Sequence, residues 1–213
     1  MAIAAGTAMS LGALILAGGQ SRRMGQDKAL LTRQGVSLLR HTWDVACALT
    51  PNVWIVTPWG DRYRPHLPPT AQWLPEAPPT PEAPSPGPLA AFAGALPTVT
   101  TDWVLLLACD LPNVQATILR QWQAALPQVP ATAIAYLPQT PQGWEPLCGF
   151  YRSTCGPSLQ AYLATGQRSF QGWLNQQAVI PIPQVPGALL ANCNTPADWA
   201  QLGGAAAPIF AND

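Results

Sequence analysis

Charge is what this chain has least of. Its 213 residues hold ten Lys+Arg and ten Asp+Glu, 9% charged with a formal net charge of zero, against roughly 25% in an average soluble protein. The basic residues are few and, past one early loop, scattered. A polyanion would find no stripe to follow, so no nucleic-acid partner is expected. Histidine is nearly absent: His41 falls on an expected helix and His66 in a loop, and neither belongs to a cluster that could do general acid–base work. The five cysteines, Cys47, Cys109, Cys148, Cys155 and Cys193, are odd in number and contain no C-x-x-C. That pattern argues against a disulfide framework and a zinc site and fits a reduced, cytoplasmic compartment. Cys109 precedes an acidic residue of interest, and a buried small apolar side chain is its better reading. Long apolar runs are also missing. The first charge is Arg22, but no basic n-region precedes the stretch Leu11 to Gly19. That stretch is about half of the ~20 residues a spanning helix needs, so it is expected to be a buried strand, with no membrane partner.

What is present concentrates between Leu14 and Leu30, Leu-Ile-Leu-Ala-Gly-Gly-Gln-Ser-Arg-Arg-Met-Gly-Gln-Asp-Lys-Ala-Leu. A short continuous apolar run suits a strand buried on both faces, and Gly18-Gly19 ends it. Two glycines let backbone N–H groups approach a phosphate with no Cβ in the way. Arg22, Arg23 and Lys28 add three of the chain's ten cations within seven positions. The usual nucleotide motifs are absent. There is no G-x-G-x-x-G, and the P-loop pattern fails because Met24 stands where its second glycine belongs and Gln26 follows Gly25.

The run Leu-Ala-Gly-Gly-x-Ser-x-Arg-Met-Gly-x-Asp-Lys-Ala resembles the signature of the molybdenum cofactor guanylyltransferases, within the nucleotidyltransferase superfamily. A second match lies near the C-terminus, where Asn192-Cys193-Asn194-Thr195-Pro196-Ala197-Asp198 resembles the family's Asn-x-Asn-Thr-Pro-x-Asp/Glu. Local physics also explains part of that stretch: Thr195, Pro196 and Asp198 suit the cap of a last helix. The resemblance implies a three-layer α/β/α, Rossmann-like, GT-A-like fold with a mainly parallel mixed sheet. At 213 residues one domain is expected, with its core over about residues 12 to 202 and a frayed tail from 203 to 213.

Between the two motifs the pattern alternates strands and helices. Val36, Leu39, Trp43, Ala46 and Cys47 recur at helical spacing over residues 36 to 49, and Asn52 to Thr57 reads as a second buried strand, giving a parallel βαβ unit. Ala71 to Leu74 is a third strand. Half of the fourteen residues from Pro75 to Pro88 are proline, an extended exposed loop. Residues 89 to 96 make a short helix. Trp103 to Ala108 is the most apolar strand and the expected sheet centre, ending at Asp110. Ile118, Leu119, Trp122, Ala125 and Leu126 mark a helix. Ala131 to Tyr136 and Glu145 to Arg152 are expected as an antiparallel pair, followed by helices around Leu159–Leu163 and Phe170–Gln176.

Asp110 follows a buried parallel strand, on the sheet edge where α/β folds bind ligands. It reads as a turn or cap aspartate or as a metal ligand, and the second is preferred because Mg²⁺ takes one or two carboxylates plus phosphate oxygens. By resemblance, Leu16, Ala17, Gly18, Gly19, Lys28, Glu76, Gly87, Pro88 and Asp110 contact the nucleotide. Lys28 and Arg23 would hold the leaving phosphates, and Asn194 would join Asp110 on Mg²⁺. Gly87-Pro88-Leu89-Ala90 resembles the family's Gly-Pro-Leu-Ala-Gly, with Ala91 in place of the last glycine. Arg168 is either a contact for the pterin phosphate or a lone surface arginine, and Glu145 either a pterin-side residue or a solvated strand edge.

The implied reaction moves GMP from GTP to the terminal phosphate of molybdenum-molybdopterin, releasing pyrophosphate. Molybdenum-insertion proteins or molybdoenzyme chaperones are further candidate partners. The acceptor phosphate is already ionised, so positioning and charge stabilisation suffice without a strong base. Two rivals stay open: a cytidylyl or sugar-phosphate transferase with the same loop and metal, and a non-catalytic carrier of the pterin cofactor.

Overall fold

The computed structural model describes residues 9–19, 27–80, 85–191 and 199–200. Arg22, Arg23, the motif from Asn192 to Asp198 with Asn194, and the expected cap of a last helix lie outside them. The first strand forms as β1 (Leu11–Leu16), buried along its whole length. A 3-10 turn at Lys28–Leu30 follows, and β2 (Thr32–Arg33) and β3 (Val36–Ser37) make a small antiparallel hairpin. Its turn is Gln34-Gly35, at φ 53° and 80°; two successive positive φ values match the twist of paired strands. This hairpin corrects the assignment of Val36 to a helical stripe. Val36 stands on β3, 42% exposed. Helix α1 (Leu38–Cys47) begins after it, capped by the Ser37 hydroxyl, which accepts the Arg40 N–H.

The chain continues through β4 (Val53–Thr57), α2 (Gly60–Tyr63), β5 (Gln72–Pro75), α3 (Pro88–Ala95), β6 (Trp103–Ala108) and α4 (Ala116–Ala125). Then come β7 (Ala135–Leu137), the hairpin β8 (Gln139–Thr140) with β9 (Gly143–Trp144), β10 (Cys148–Arg152), α5 (Gly156–Ala164), α6 (Phe170–Leu174) and β11 (Val179–Pro181). Two strands start later than their apolar runs. Before β7 the backbone closes a turn in which the Ala133 N–H donates to the Pro130 carbonyl. Before β10 stands Pro146, which has no N–H to give a ladder.

The main sheet has seven strands in the order β11-β7-β10-β6-β1-β4-β5. Strands β1, β4, β5 and β6 run parallel, and β10 is antiparallel to both β6 and β7, so the sheet is mixed as expected. Burial divides by strand parity. Trp103, Leu105 and Leu107 of β6 face a core with Leu39, Val45 and Ala46 of α1 and Leu119 and Trp122 of α4. Val104 and Leu106 face the opposite core, with Leu89 and Phe92 of α3, Leu159 and Tyr162 of α5, and Phe170 and Trp173 of α6. The fold is therefore three layers, helices on both faces of one sheet. Each fully buried Leu or Ile contributes about 1.5–3 kcal/mol relative to exposure, which is why the doubly covered β1 and β6 sit at the centre.

Candidate active site

After β1 the chain turns to one side of it for β4 and β5, then returns to the other side for β6. Strand order reverses there, and in open α/β sheets the crevice beyond the carboxyl ends of the strands at that point holds the ligand. A cavity of about 270 Å³ occupies it. Every described residue expected to meet a nucleotide lines this one cavity: Leu16, Ala17, Gly18, Gly19, Lys28, Glu76, Gly87, Pro88 and Asp110. Three strand ends, the Lys28 turn and the start of α3 thus converge from positions up to 94 residues apart (Leu16 to Asp110).

The floor is fixed by hydrogen bonds between strand ends. Ala17 N–H donates to Val56 O at 2.9 Å, Cys109 N–H to Leu16 O at 3.3 Å and Glu76 N–H to Thr57 O at 3.1 Å. Thr57, 2% exposed, donates its hydroxyl to Ala17 O and accepts the Trp59 N–H. Its side chain is spent on joining β4 to β1. Gly18 is required by close approach: a Cβ there would lie 2.9 Å from Glu76 Oε2 and 3.4 Å from Pro58 Cδ. Gly87 is required by its backbone, at φ 87° and ψ 170° just before Pro88 opens α3. Gly87 has no side chain to cap that helix start, so among the described residues its first-turn N–H groups are open to a ligand atom.

The charged groups divide into two sets. Lys28 Nζ lies 3.6 Å from Asp110 Oδ2, the side chains 15% and 28% exposed. Both reach the cavity, so the cation from the β1 loop and the carboxylate from the end of β6 face the same space. Asp27 also lines it but is bound up differently, with Arg62, Tyr63 and the Ala29 N–H as donors. Glu76 is half-buried, and burial pushes its carboxyl above the usual range. Burial likewise raises the Cys109 thiol, with the Asp110 and Asp27 charges adding to it. Cys109 is therefore an uncharged wall residue, as its sequence context suggested. Among the described residues no cluster of three or more His, Cys, Asp or Glu side chains could hold a metal.

Two pterin candidates lie elsewhere. Arg168, exposed beyond the end of α5, donates Nη1 to the carbonyls of Leu163 and Gln167 at 2.8 Å each. Glu145 follows the β8–β9 hairpin, its carboxyl raised by burial and its N–H donated to Pro138 O. Neither lines the cavity. His41 spends Nε2 on Val114 O at 3.0 Å. Sequence reasoning missed Tyr63, Ser85, Ala91 and Leu147, which complete the walls. Tyr63 and Ser85 sit in no motif or periodic run; Ala91 carried a signal as the departure from glycine after Gly87-Pro88-Leu89-Ala90, and Leu147 lies in Pro146-Leu147-Cys148-Gly149-Phe150-Tyr151-Arg152, which resembles a Pro-Leu-x-x-x-Tyr-Arg element of the family.

Comparison with known proteins gives the family and the fold. A family model described as the MobA-like NTP transferase domain matches residues 13–179. The probable molybdenum cofactor guanylyltransferase of Trichormus variabilis is 48% identical over 199 residues, covering 92% of this chain and 91% of the relative. That of Synechococcus elongatus is 48% identical over 194 residues, covering 91% and 98%. Molybdopterin-guanine dinucleotide biosynthesis protein A from Archaeoglobus fulgidus has a similar fold, with TM-score 0.71 at 19% identity over 89% of this chain and 95% of that one. With a family model spanning most of its length and relatives this similar, the chain belongs to the MobA-like NTP transferase family.

Proposed function

We propose that the protein transfers GMP from GTP to the terminal phosphate of molybdenum-molybdopterin, forming the guanine dinucleotide cofactor and pyrophosphate. The observation that carries this is the convergence of Gly18, Gly19, Lys28, Glu76, Gly87 and Asp110 on one cavity at the strand-order reversal. The names of the relatives at 48% identity supply the substrates. The chain's own residues orient and neutralise. Backbone N–H groups at Gly18 and Gly19 and the Lys28 ammonium hold the triphosphate. Held in line, the acceptor phosphate oxygen attacks the α-phosphorus as pyrophosphate leaves; it is already ionised and needs no general base. Such preorganised donors account for most of the rate. Arg23 is proposed as a second cation on the leaving phosphates.

The donor chemistry of the site suits Mg²⁺. Asp110 is a hard oxygen ligand, partly exposed into the cavity, on the edge where the phosphates are placed. Mg²⁺ is held by one or two carboxylates with substrate phosphates completing its shell, so a single protein carboxylate fits better than an all-protein cage. Asp110, with Asn194, would hold the ion, which when bound supplies Lewis-acid stabilisation of the phosphoryl charge. Among the described residues no helix is long and apolar enough to cross a membrane. The four described cysteines are free, in keeping with a cytoplasmic enzyme that passes its product to molybdenum-insertion proteins or molybdoenzyme chaperones.

The test is purified protein with Mg²⁺, molybdenum-loaded pterin cofactor and GTP, ATP or CTP in parallel, following pyrophosphate. Release with GTP alone, dependent on the pterin, is the expected result. Turnover with CTP would move the protein to cytidylyl transfer, and tight pterin binding without turnover would make it a carrier.

A further inference from the structure

Tyr63 is 1% exposed, and a buried phenol must satisfy its hydroxyl. It does so on Asp27, with the O–H 3.0 and 2.9 Å from the two carboxylate oxygens. Asp27 has two further donors, Arg62 Nη1 at 3.1 Å and the Ala29 N–H at 3.1 Å. The three differ in weight. Arg62 is 55% exposed and lies 5.1 Å over the Trp59 ring, so solvent screens its pull. The Ala29 bond is local. Tyr63 is the buried tie, reaching from α2, beyond the end of β4, to the segment that follows the β1 loop.

The consequence lies one residue further on. Asp27 caps the 3-10 turn whose first residue is Lys28, and Lys28 Nζ faces Asp110 across 3.6 Å. An aspartate beside a phosphate-binding lysine works against it unless donors take up its charge and hold it still. With both oxygens hydrogen-bonded, the Asp27 carboxylate is anchored.

We propose that Tyr63 is a positioning residue. Through Asp27 it holds the Lys28 turn against Asp110 and keeps the Asp27 carboxylate off the phosphates of the ligand. This rests on the reading of the cavity as a nucleoside triphosphate site.

The experiment measures GTP and GMP affinity with Mg²⁺ by calorimetry for the wild type, Tyr63→Phe, Lys28→Ala and the double variant. Tyr63→Phe keeps the buried ring and removes only the oxygen. The expected result is a roughly tenfold loss of GTP affinity, the scale of a hydrogen bond to a charged group, with GMP affinity unchanged because Lys28 meets the leaving phosphates. On top of Lys28→Ala the Tyr63 change should cost clearly less than it does alone, since residues acting through one another are not additive. Equal loss for GTP and GMP, full additivity, or no loss would each overturn the proposal. If Tyr63→Phe does not fold, Asp27→Asn and Asp27→Ala replace it. The amide still accepts from Tyr63 and Ala29 and should keep GTP affinity within about twofold, while alanine should lose about tenfold for GTP alone; identical behaviour of the two would overturn the proposal. A wild type that binds GTP no better than GMP would defeat the triphosphate reading itself, and this shows before any substitution is made.

Discussion

The parallel side of the sheet, β5-β4-β1-β6, and the mixed side, β10-β7-β11, use polar side chains in opposite ways. On the first, Glu76 and Asp110 at strand ends and Lys28 on the turn after the β1 loop line an open cavity. On the second they are consumed by the fold. Arg152 donates to the carbonyls of Ala133, Val129 and Pro130 and lies 4.3 Å over the Trp103 ring. Arg168 is bound to two carbonyls, and the Gln171 amide exchanges hydrogen bonds with the Trp144 backbone, locking α6 to the β8–β9 hairpin. In a chain this poor in charge, the partners of a cation show whether it serves the cavity, as Lys28 does, or the fold, through carbonyls at Arg152 and Arg168 and through carboxylates at Arg40 and Arg62.

Substitutions should separate the two sides. Lys28→Ala is expected to lower transfer by about 10²–10³ while Tm stays near the wild-type value; unchanged turnover in a pyrophosphate assay would remove Lys28 from the phosphates. Arg152→Ala should do the reverse. Three carbonyls lose their donor and Trp103 its covering guanidinium, for about 3 kcal/mol and a fall of roughly 10 °C in Tm, with kcat retained below the new transition. Glu76→Gln should move both readouts at smaller scale, with Tm changing in the opposite direction. Burial raises the folded-state pKa of Glu76 above its unfolded value, so the folded chain binds the extra proton, and stability falls as pH rises between the two values and stays lower above them. The glutamine variant should therefore melt slightly higher than wild type at pH 7. That gain should vanish below the ordinary carboxylate range of about 4.3, and GTP affinity should drop. A lower Tm at pH 7 would mean that the carboxylate has a stabilising partner. Arg168→Ala should have the smallest effect, within about 1 kcal/mol of stability and with unchanged turnover; a several-fold rise in the acceptor KM would instead place it at the pterin.

The same division explains what the sequence alone could tell. Strands β1 and β6 are legible because burial on both faces demands an unbroken apolar run, and the glycines and Lys28 after β1 need local features that single residue types report. Asp110 is legible from its place after β6. Val36 misled because it shares helical spacing with Leu39, while the turn that puts it on β3 depends on Gln34 and Gly35 at positive φ. Strand β11, three residues ending in Pro181, has no periodicity to read; it exists because β7 offers it a parallel edge. Tyr63 was invisible for a like reason: its partner is 36 positions away in sequence, and nothing local marks a tyrosine whose hydroxyl meets a carboxylate. Thr57 was equally silent in sequence, a strand-end hydroxyl whose hydrogen bonds belong to Ala17 and Trp59.

The most direct test of the central claim, that Asp110 and the glycine–lysine loop form one metal-assisted transfer site, is pterin-dependent pyrophosphate release from GTP by Asp110→Asn across a Mg²⁺ series. The change keeps the shape of the side chain and removes its charge. Loss of activity at every Mg²⁺ concentration, in a protein that still melts like the wild type, is the predicted result. Wild-type rates at ordinary Mg²⁺ would contradict the assignment of Asp110 and, with it, the location of the reaction in this cavity.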